Sequence, residues 1–157
     1  MNIVIRTDSS VHIGSGHVMR DIVLAKELAR LGHDISFACR PQNGDSIDYI
    51  KQQGFTVHEL ARPAQWLTPS SSADYSAWLQ VSINSDIEQF CAVIRSTDLV
   101  IVDHYALGSE WQEAIKKYYD CKIVAIDDLV REHSADIIID QTLLRKSEEY
   151  LSRNNQC

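Results

Sequence analysis

The residue in this chain best suited to move a proton is His17, set directly after a glycine at the start of a helix. It closes the stretch Arg6-Thr7-Asp8-Ser9-Ser10-Val11-His12-Ile13-Gly14-Ser15-Gly16-His17. A helix N-terminus carries partial positive charge and disfavours imidazolium. The ring is therefore expected to be neutral near pH 7 and able to accept a proton. The same placement also suits a histidine that merely ends a loop and packs there, and the residues alone leave both readings open. The glycines of Gly14-Ser15-Gly16 let the chain turn sharply and let a ligand approach the backbone. They do not make a dinucleotide fingerprint: the third glycine position holds Met19, and Arg40 stands where an acid is expected.

Carboxylates supply the other reactive groups. Asp8 follows an apolar run, Asp103-His104-Tyr105 closes a second, and Asp127-Asp128 closes a third. His104 reads either as a second functional imidazole or as a structural hydrogen-bonding group. Two adjacent aspartates are oxygen ligands for a hard cation, but neighbours on a strand point to opposite faces. At most one of Asp127 and Asp128 is expected at a common site, and no metal or cofactor is expected. His12 lacks a partner at zinc spacing; His33, His58 and His133 are expected at element ends or on the surface. No G-x-S-x-G elbow and no Walker loop occur.

The elements that must hold these groups alternate along the chain. Ile3-Val4-Ile5, Ile35 to Cys39, Phe55 to Leu60, Asp98 to Asp103, Lys122 to Ile126 and Ala135 to Asp140 read as six strands. Val18 to Leu31 reads as an amphipathic helix stopped by Gly32. Ile47 and Ile50 mark a short helix. Ala61 to Ser72, with two prolines, reads as a loop. Ala73 to Ser96 reads as one long helix with Leu79, Ile83, Ile87, Phe90 and Ile94 on its stripe; Trp78 beside that stripe is assigned to the core. Ser109 and Gln112 suggest a capping box for a helix carrying Trp111, Ile115 and Tyr118. The class is α/β, a Rossmann-like three-layer domain with a mostly parallel sheet. In such a sheet the C-terminal strand ends share one edge. Arg6-Thr7-Asp8, Asp103-His104-Tyr105 and Asp127-Asp128 are thus expected around one crevice with His17.

Composition sets the bounds. The 157 residues are 45% hydrophobic and 24% charged, an ordinary globular balance with enough chain for one cored domain. A net charge of −7 offers no basic surplus for nucleic acid. No run is long enough to span a membrane, and the opening strand shows no targeting segment, so the chain is expected in the cytoplasm. Cys39, Cys91, Cys121 and Cys157 are scattered and read as thiols rather than a disulfide frame.

The opening Ile5 to Ser10, the segment Ile13 to Asp21, Ser36-Phe37-Ala38-Cys39-Arg40, Val102-Asp103-His104-Tyr105 and Ile126-Asp127-Asp128 together resemble one family, in order, over nearly all of the chain up to about Tyr150. It is the UDP-2,4-diacetamido-2,4,6-trideoxy-β-L-altropyranose hydrolase family of pseudaminic acid biosynthesis. The glycine-histidine loop alone is shared with wider GT-B glycosyltransferases. The resemblance implies the N-terminal half of a GT-B-like fold and metal-free attack of water at the anomeric carbon of a UDP-sugar, with His17 as general base. It implies substrate contacts from Arg6, Asp8, Ser9, Gly14, Gly16, Asp103, His104 and Tyr105. Residues 1–150 are then the catalytic, sugar-facing domain, and 151–157 begin a linker or tail. Members are roughly twice this length and grip the nucleotide with a second domain. That domain is absent from this chain, which is therefore expected to hydrolyse poorly by itself. The competing readings are the acceptor half of a GT-B glycosyltransferase and a non-catalytic nucleotide-sugar binding module.

Overall fold

A computed structural model describes residues 1–151. Six strands form one sheet in the order β3-β2-β1-β4-β5-β6, every neighbouring pair parallel. They are β1 Asn2–Thr7, β2 Asp34–Cys39, β3 Thr56–Glu59, β4 Leu99–Asp103, β5 Lys122–Ile126 and β6 Ile137–Ile139. The strand order reverses between β1 and β4, as it does in doubly wound nucleotide-binding folds. The expected α/β class and layering are borne out, and the sheet is wholly parallel.

Two apolar layers cover the sheet because alternate strand residues point to opposite faces. Ile3, Ile5, Phe37 and Ile101 pack with Val18, Ile22 and Ala25 of α1 (Gly16–Arg30) and with Ile47 and Ile50 of α2 (Ile47–Gln52). Val4, Val100, Val102 and Ile123 face the other way. They meet α3 (Tyr75–Leu79), α4 (Ile83–Val93) and α5 (Ser109–Tyr119) through Leu79, Phe90, Trp111 and Ile115. A short α6 (Glu148–Leu151) ends the described chain. Residues 152–157, where most of the expected tail falls, Cys157 included, lie outside the described residues.

Gly32 adopts φ +88° and ends α1 with a paired cap, its N–H on Ala29 O and that of His33 on Leu28 O. The expected single helix over 73–96 is instead two. Gln80 takes a left-handed φ of +67°, its amide bonded to Leu67 and Ala77, and Ser82 starts α4 by accepting from the Ser85 N–H. The apolar stripe runs on across this break, which is why periodicity alone reads one helix. The capping box at Ser109 is also absent. Gly108 occupies the cap, and the Gln112 side chain bonds Leu107 O, His133 Nδ1 and the Ser134 N–H. His133 is consequently buried rather than at the surface. Among the described residues Cys39, Cys91 and Cys121 are free thiols, and no helix is long and apolar enough to cross a membrane.

Candidate active site

The β1–α1 loop is tied at several points before it delivers His17. Ser10 Oγ accepts from the N–H groups of His12 and Ile13, and the Gly14 N–H returns to Ser10 O. Gly14 sits at φ +78°, a backbone state that glycine adopts without strain. Ser9 is buried and its Oγ accepts from the Ser46 N–H, fixing the loop to the start of α2. Gly16 opens α1 and is exposed; a Cβ there would meet nothing within 4 Å.

His17 then lies in the first turn of α1, across the point where the strand order reverses, from Asp103 at the end of β4. Its Nδ1 is 2.8 Å from Asp103 Oδ1. A carboxylate only accepts, so Nδ1 carries a proton, and in the neutral ring the lone pair is on Nε2. Arg20, one turn along α1, grips both Asp103 oxygens at 2.5 Å. Burial works against charge on Asp103, yet bonds from His17 and Arg20 hold its carboxyl below the usual range. The His17 side chain keeps 11% of its surface exposed and Arg20 24%, while Asp103 is sealed beneath them.

Aromatic rings fix the imidazole from the side. Tyr105 meets His17 edge-on at 4.8 Å, Trp78 does so at 6.4 Å, and Tyr75 packs on both Trp78 and Tyr105. Trp78 is buried, as expected of a core residue, and its ring also stacks on Tyr105 at 5.7 Å. The Tyr105 hydroxyl donates to Asp128 Oδ1 at 2.6 Å; burial, then this carboxylate, keep it a phenol well above its usual pKa. Tyr105 thus turns its ring, not its hydroxyl, toward His17. Arg131 holds the Tyr105 carbonyl and Asp127. Asp127 is buried, bonded also to Tyr150, and so the two aspartates that follow β5 diverge.

Arg6 and Asp8 reach the same sheet edge but not the open space. Both side chains are fully buried, with Arg6 paired to Asp8 at 2.6 Å and to Asp86 of α4 at 2.6 Å. Arg40, where a dinucleotide fold would carry an acid, also pairs with Asp86, which accepts from Trp111 Nε1 as well. Asp8 Oδ1 takes the Arg40 N–H, joining β1 to the end of β2. Burial opposes charge on Asp8, but the Arg6 guanidinium holds its carboxyl far below the ordinary value. His104 is sealed over this group. Its Nδ1 accepts from the Ala106 N–H, and its Nε2 lies 3.4 Å from Asp8 Oδ2 without hydrogen-bond geometry. Burial pushes the His104 imidazole below its usual pKa despite Asp8, so it stays neutral at pH 7. A sugar could touch Arg6, Asp8 or His104 only if this packing opened.

The structure therefore brings His17, Asp103 and Tyr105 together and sets Arg6, Asp8 and His104 behind them. Arg20, Tyr75 and Arg131 complete the surroundings without having been singled out from the sequence. Arg20 alone had a signal, its three-residue spacing from His17 on one helix face. One recess of 350 Å³ borders the aromatic group, walled by Tyr75, Leu79, Tyr105 and Ala106. Another of 530 Å³ lies along the β1–α1 loop, walled by Ser10, His12, Gln42, Arg62, Trp66 and Gln80. A further recess of 470 Å³ around Asn2, Asp34 and Ser96 holds none of the groups near His17.

Over 150 residues, 96% of its length, the chain is 33% identical to the UDP-2,4-diacetamido-2,4,6-trideoxy-beta-L-altropyranose hydrolase of Campylobacter jejuni. The chain is a relative of that hydrolase family. It covers 45% of the Campylobacter hydrolase, so it spans a little under half the length of that relative. Two proteins named as uncharacterized glycosyltransferases, from Methanosarcina mazei and Methanosarcina acetivorans, match the hydrolase-like chain over 102 residues at 28% and 26% identity. Those matches take in 61% of this chain and 26% of each relative. No family model matches.

Proposed function

We propose that this chain is the catalytic, sugar-facing half of a nucleotide-sugar hydrolase. The observation that carries the reading is the 2.8 Å bond from His17 to Asp103 at the reversal of strand order. It leaves Nε2 as the basic atom, oriented by a carboxylate that is itself clamped by Arg20, the arrangement a general base needs. His17 takes a proton from water as that water attacks the anomeric carbon. The carbon–oxygen bond to the diphosphate breaks, UDP leaves with the bonding electrons, and the free sugar emerges inverted. The relative's name supports a UDP-linked diacetamido-trideoxy-hexose as substrate, and by the family resemblance the product feeds pseudaminic acid, used on flagellin or surface polysaccharide, in the cytoplasm. Departure of UDP calls for charge stabilisation. That grip is assigned to the half of such proteins which this chain does not span, in a GT-B-like pairing of two domains.

The matches to glycosyltransferases favour a second reading, the acceptor half of a sugar transferase. One experiment separates the two. A longer protein containing this chain is incubated with UDP-sugars in heavy-oxygen water and followed by NMR, with no acceptor present. Hydrolysis predicts label on the anomeric oxygen of free sugar and none in UDP. Label in the phosphate, or no release without an acceptor, overturns the hydrolase reading. Normal release by His17→Asn would assign the chain to a binding module instead.

A further inference from the structure

The His17–Asp103 pair stands beside a second carboxyl that the chemistry above leaves out. Asp21 lies on α1 four residues beyond His17, the spacing that puts both on one helix face. It is 0% exposed, and neither of its oxygens has a hydrogen-bond partner among the described residues. The Thr7 hydroxyl at the end of β1 is buried and unpartnered too, and Thr7 is the register partner of Asp103. The one cation beside them, Arg20, has both of its bonding nitrogens on Asp103.

An ionised carboxylate in such a place has at most the Thr7 hydroxyl to replace lost water, too little to hold its charge, and it takes up a proton instead. Burial, then the negative charge of Asp103, push the Asp21 carboxyl well above its usual value of 3.8. The groups facing it are Asp103 from β4, Thr7 from β1, Cys39 from β2, and Arg20 and His17 from α1 itself. The Cys39 thiol is kept protonated chiefly by its own burial. The charges in this nest are therefore Asp103 and Arg20.

We propose that Asp21 is a positioning residue of the His17–Asp103 pair, a buried carboxylic acid that braces Asp103 from within the core while Arg20 holds it from the open side. In its acid form it offers an O–H to Asp103 or to Thr7 and adds no second negative charge under the imidazole. Ionised, it would favour imidazolium at His17 and remove the base. The inference rests on the proposed role of His17, but its test reads protonation and stability directly and needs no substrate.

The test follows the Asp21 carboxyl carbon and the His17 ring by NMR across pH in this chain, in the native sequence, Asp21→Asn and Asp21→Leu. The Asp21 carbon is expected to keep its acid-form shift at neutral pH while exposed aspartates ionise near 3.9. Asp21→Asn, neutral and able to donate, should preserve the His17 ring shifts at neutral pH; Asp21→Leu, neutral but unable to donate, should move them. A raised folded value means stability present below 3.8 and lost as pH rises through the folded value. Asp21→Asn should therefore melt at least ~2 °C above the native chain at pH 8, the gap closing at or below pH 4. Ionisation of Asp21 with the ordinary carboxylates overturns the proposal, as does a melting gap independent of pH. So does a His17 ring indifferent to both substitutions. If Asp21→Leu does not fold, the carboxyl titration and the Asp21→Asn gap decide.

Discussion

Two charged groups share the C-terminal edge of the sheet, each an arginine–aspartate pairing, and they are not alike. Arg6, Asp8, Arg40 and Asp86 keep none of their side-chain surface exposed. His17 and Arg20, over Asp103, keep 11% and 24%. The sealed group spends every charge on the protein: Asp8 joins β1 to β2, and Asp86 ties α4 to β1, to Arg40 and to Trp111 of α5. The open group leaves one basic atom, His17 Nε2, outside its own internal bonds. Residue type does not separate a structural ion network from a reactive one; exposure and spare hydrogen-bonding capacity do.

The sharpest way to break this contrast is to remove one charge from each side. Asp86→Ala leaves Arg40 without a carboxylate, Arg6 with Asp8 alone and the Trp111 N–H without its acceptor. Losing one member of a buried ion group costs about 3–5 kcal/mol, so urea unfolding should show a chain that is largely unfolded or close to it. His17→Asn strands nothing of that kind. It should cost no more than about 1.5 kcal/mol of unfolding free energy, the net worth of one hydrogen bond, yet lower sugar release by the longer protein about 10²–10⁴-fold, the range of general-base catalysis. Equal damage to folding from both substitutions would erase the distinction.

Acid sharpens it further. The Asp8 and Asp86 carboxyls are both held below their usual 3.8, against burial, chiefly by the Arg6 charge. Their contribution is therefore complete above the unfolded value and is lost as pH falls through the folded ones. With the Asp21 titration removed by Asp21→Asn, denaturant midpoints should be flat from neutrality down to about pH 4 and fall steeply below it. A variant with Asp86→Asn should show a shallower acid slope, because one of the two linked carboxyls no longer titrates.

Much of this architecture was legible in residue order. Ile3 to Ile5 and Leu99 to Val102 are unbroken apolar runs that only a doubly covered strand needs. A parallel sheet then brings their C-terminal ends together, so His17 and Asp103, far apart in the chain, share a crevice by topology. What could not be read was depth. Asp86 sits inside an apolar helical stripe, and nothing local shows that it neutralises Arg6 and Arg40. Asp21 likewise looks like one more polar residue of an amphipathic helix, though α1 turns it to the core. The break at Gln80 was hidden because the stripe keeps its period across it.

The smallest expected effect is the most discriminating for the open side. Tyr105 lays its ring against His17 and gives its hydroxyl to Asp128. Tyr105→Phe removes that bond and keeps the ring, so a loss of about 0.5–1.5 kcal/mol in unfolding free energy is expected, the net worth of one hydrogen bond. If the ring only holds the imidazole in place, turnover by the longer protein should stay within about threefold of the native rate, since under 1 kcal/mol of barrier is at stake. A drop of about a hundredfold would mean the hydroxyl leaves Asp128 to touch substrate. Tyr105 would then move from packing against the base to sharing its chemistry, and the boundary drawn here between closed and open groups would pass one residue further out.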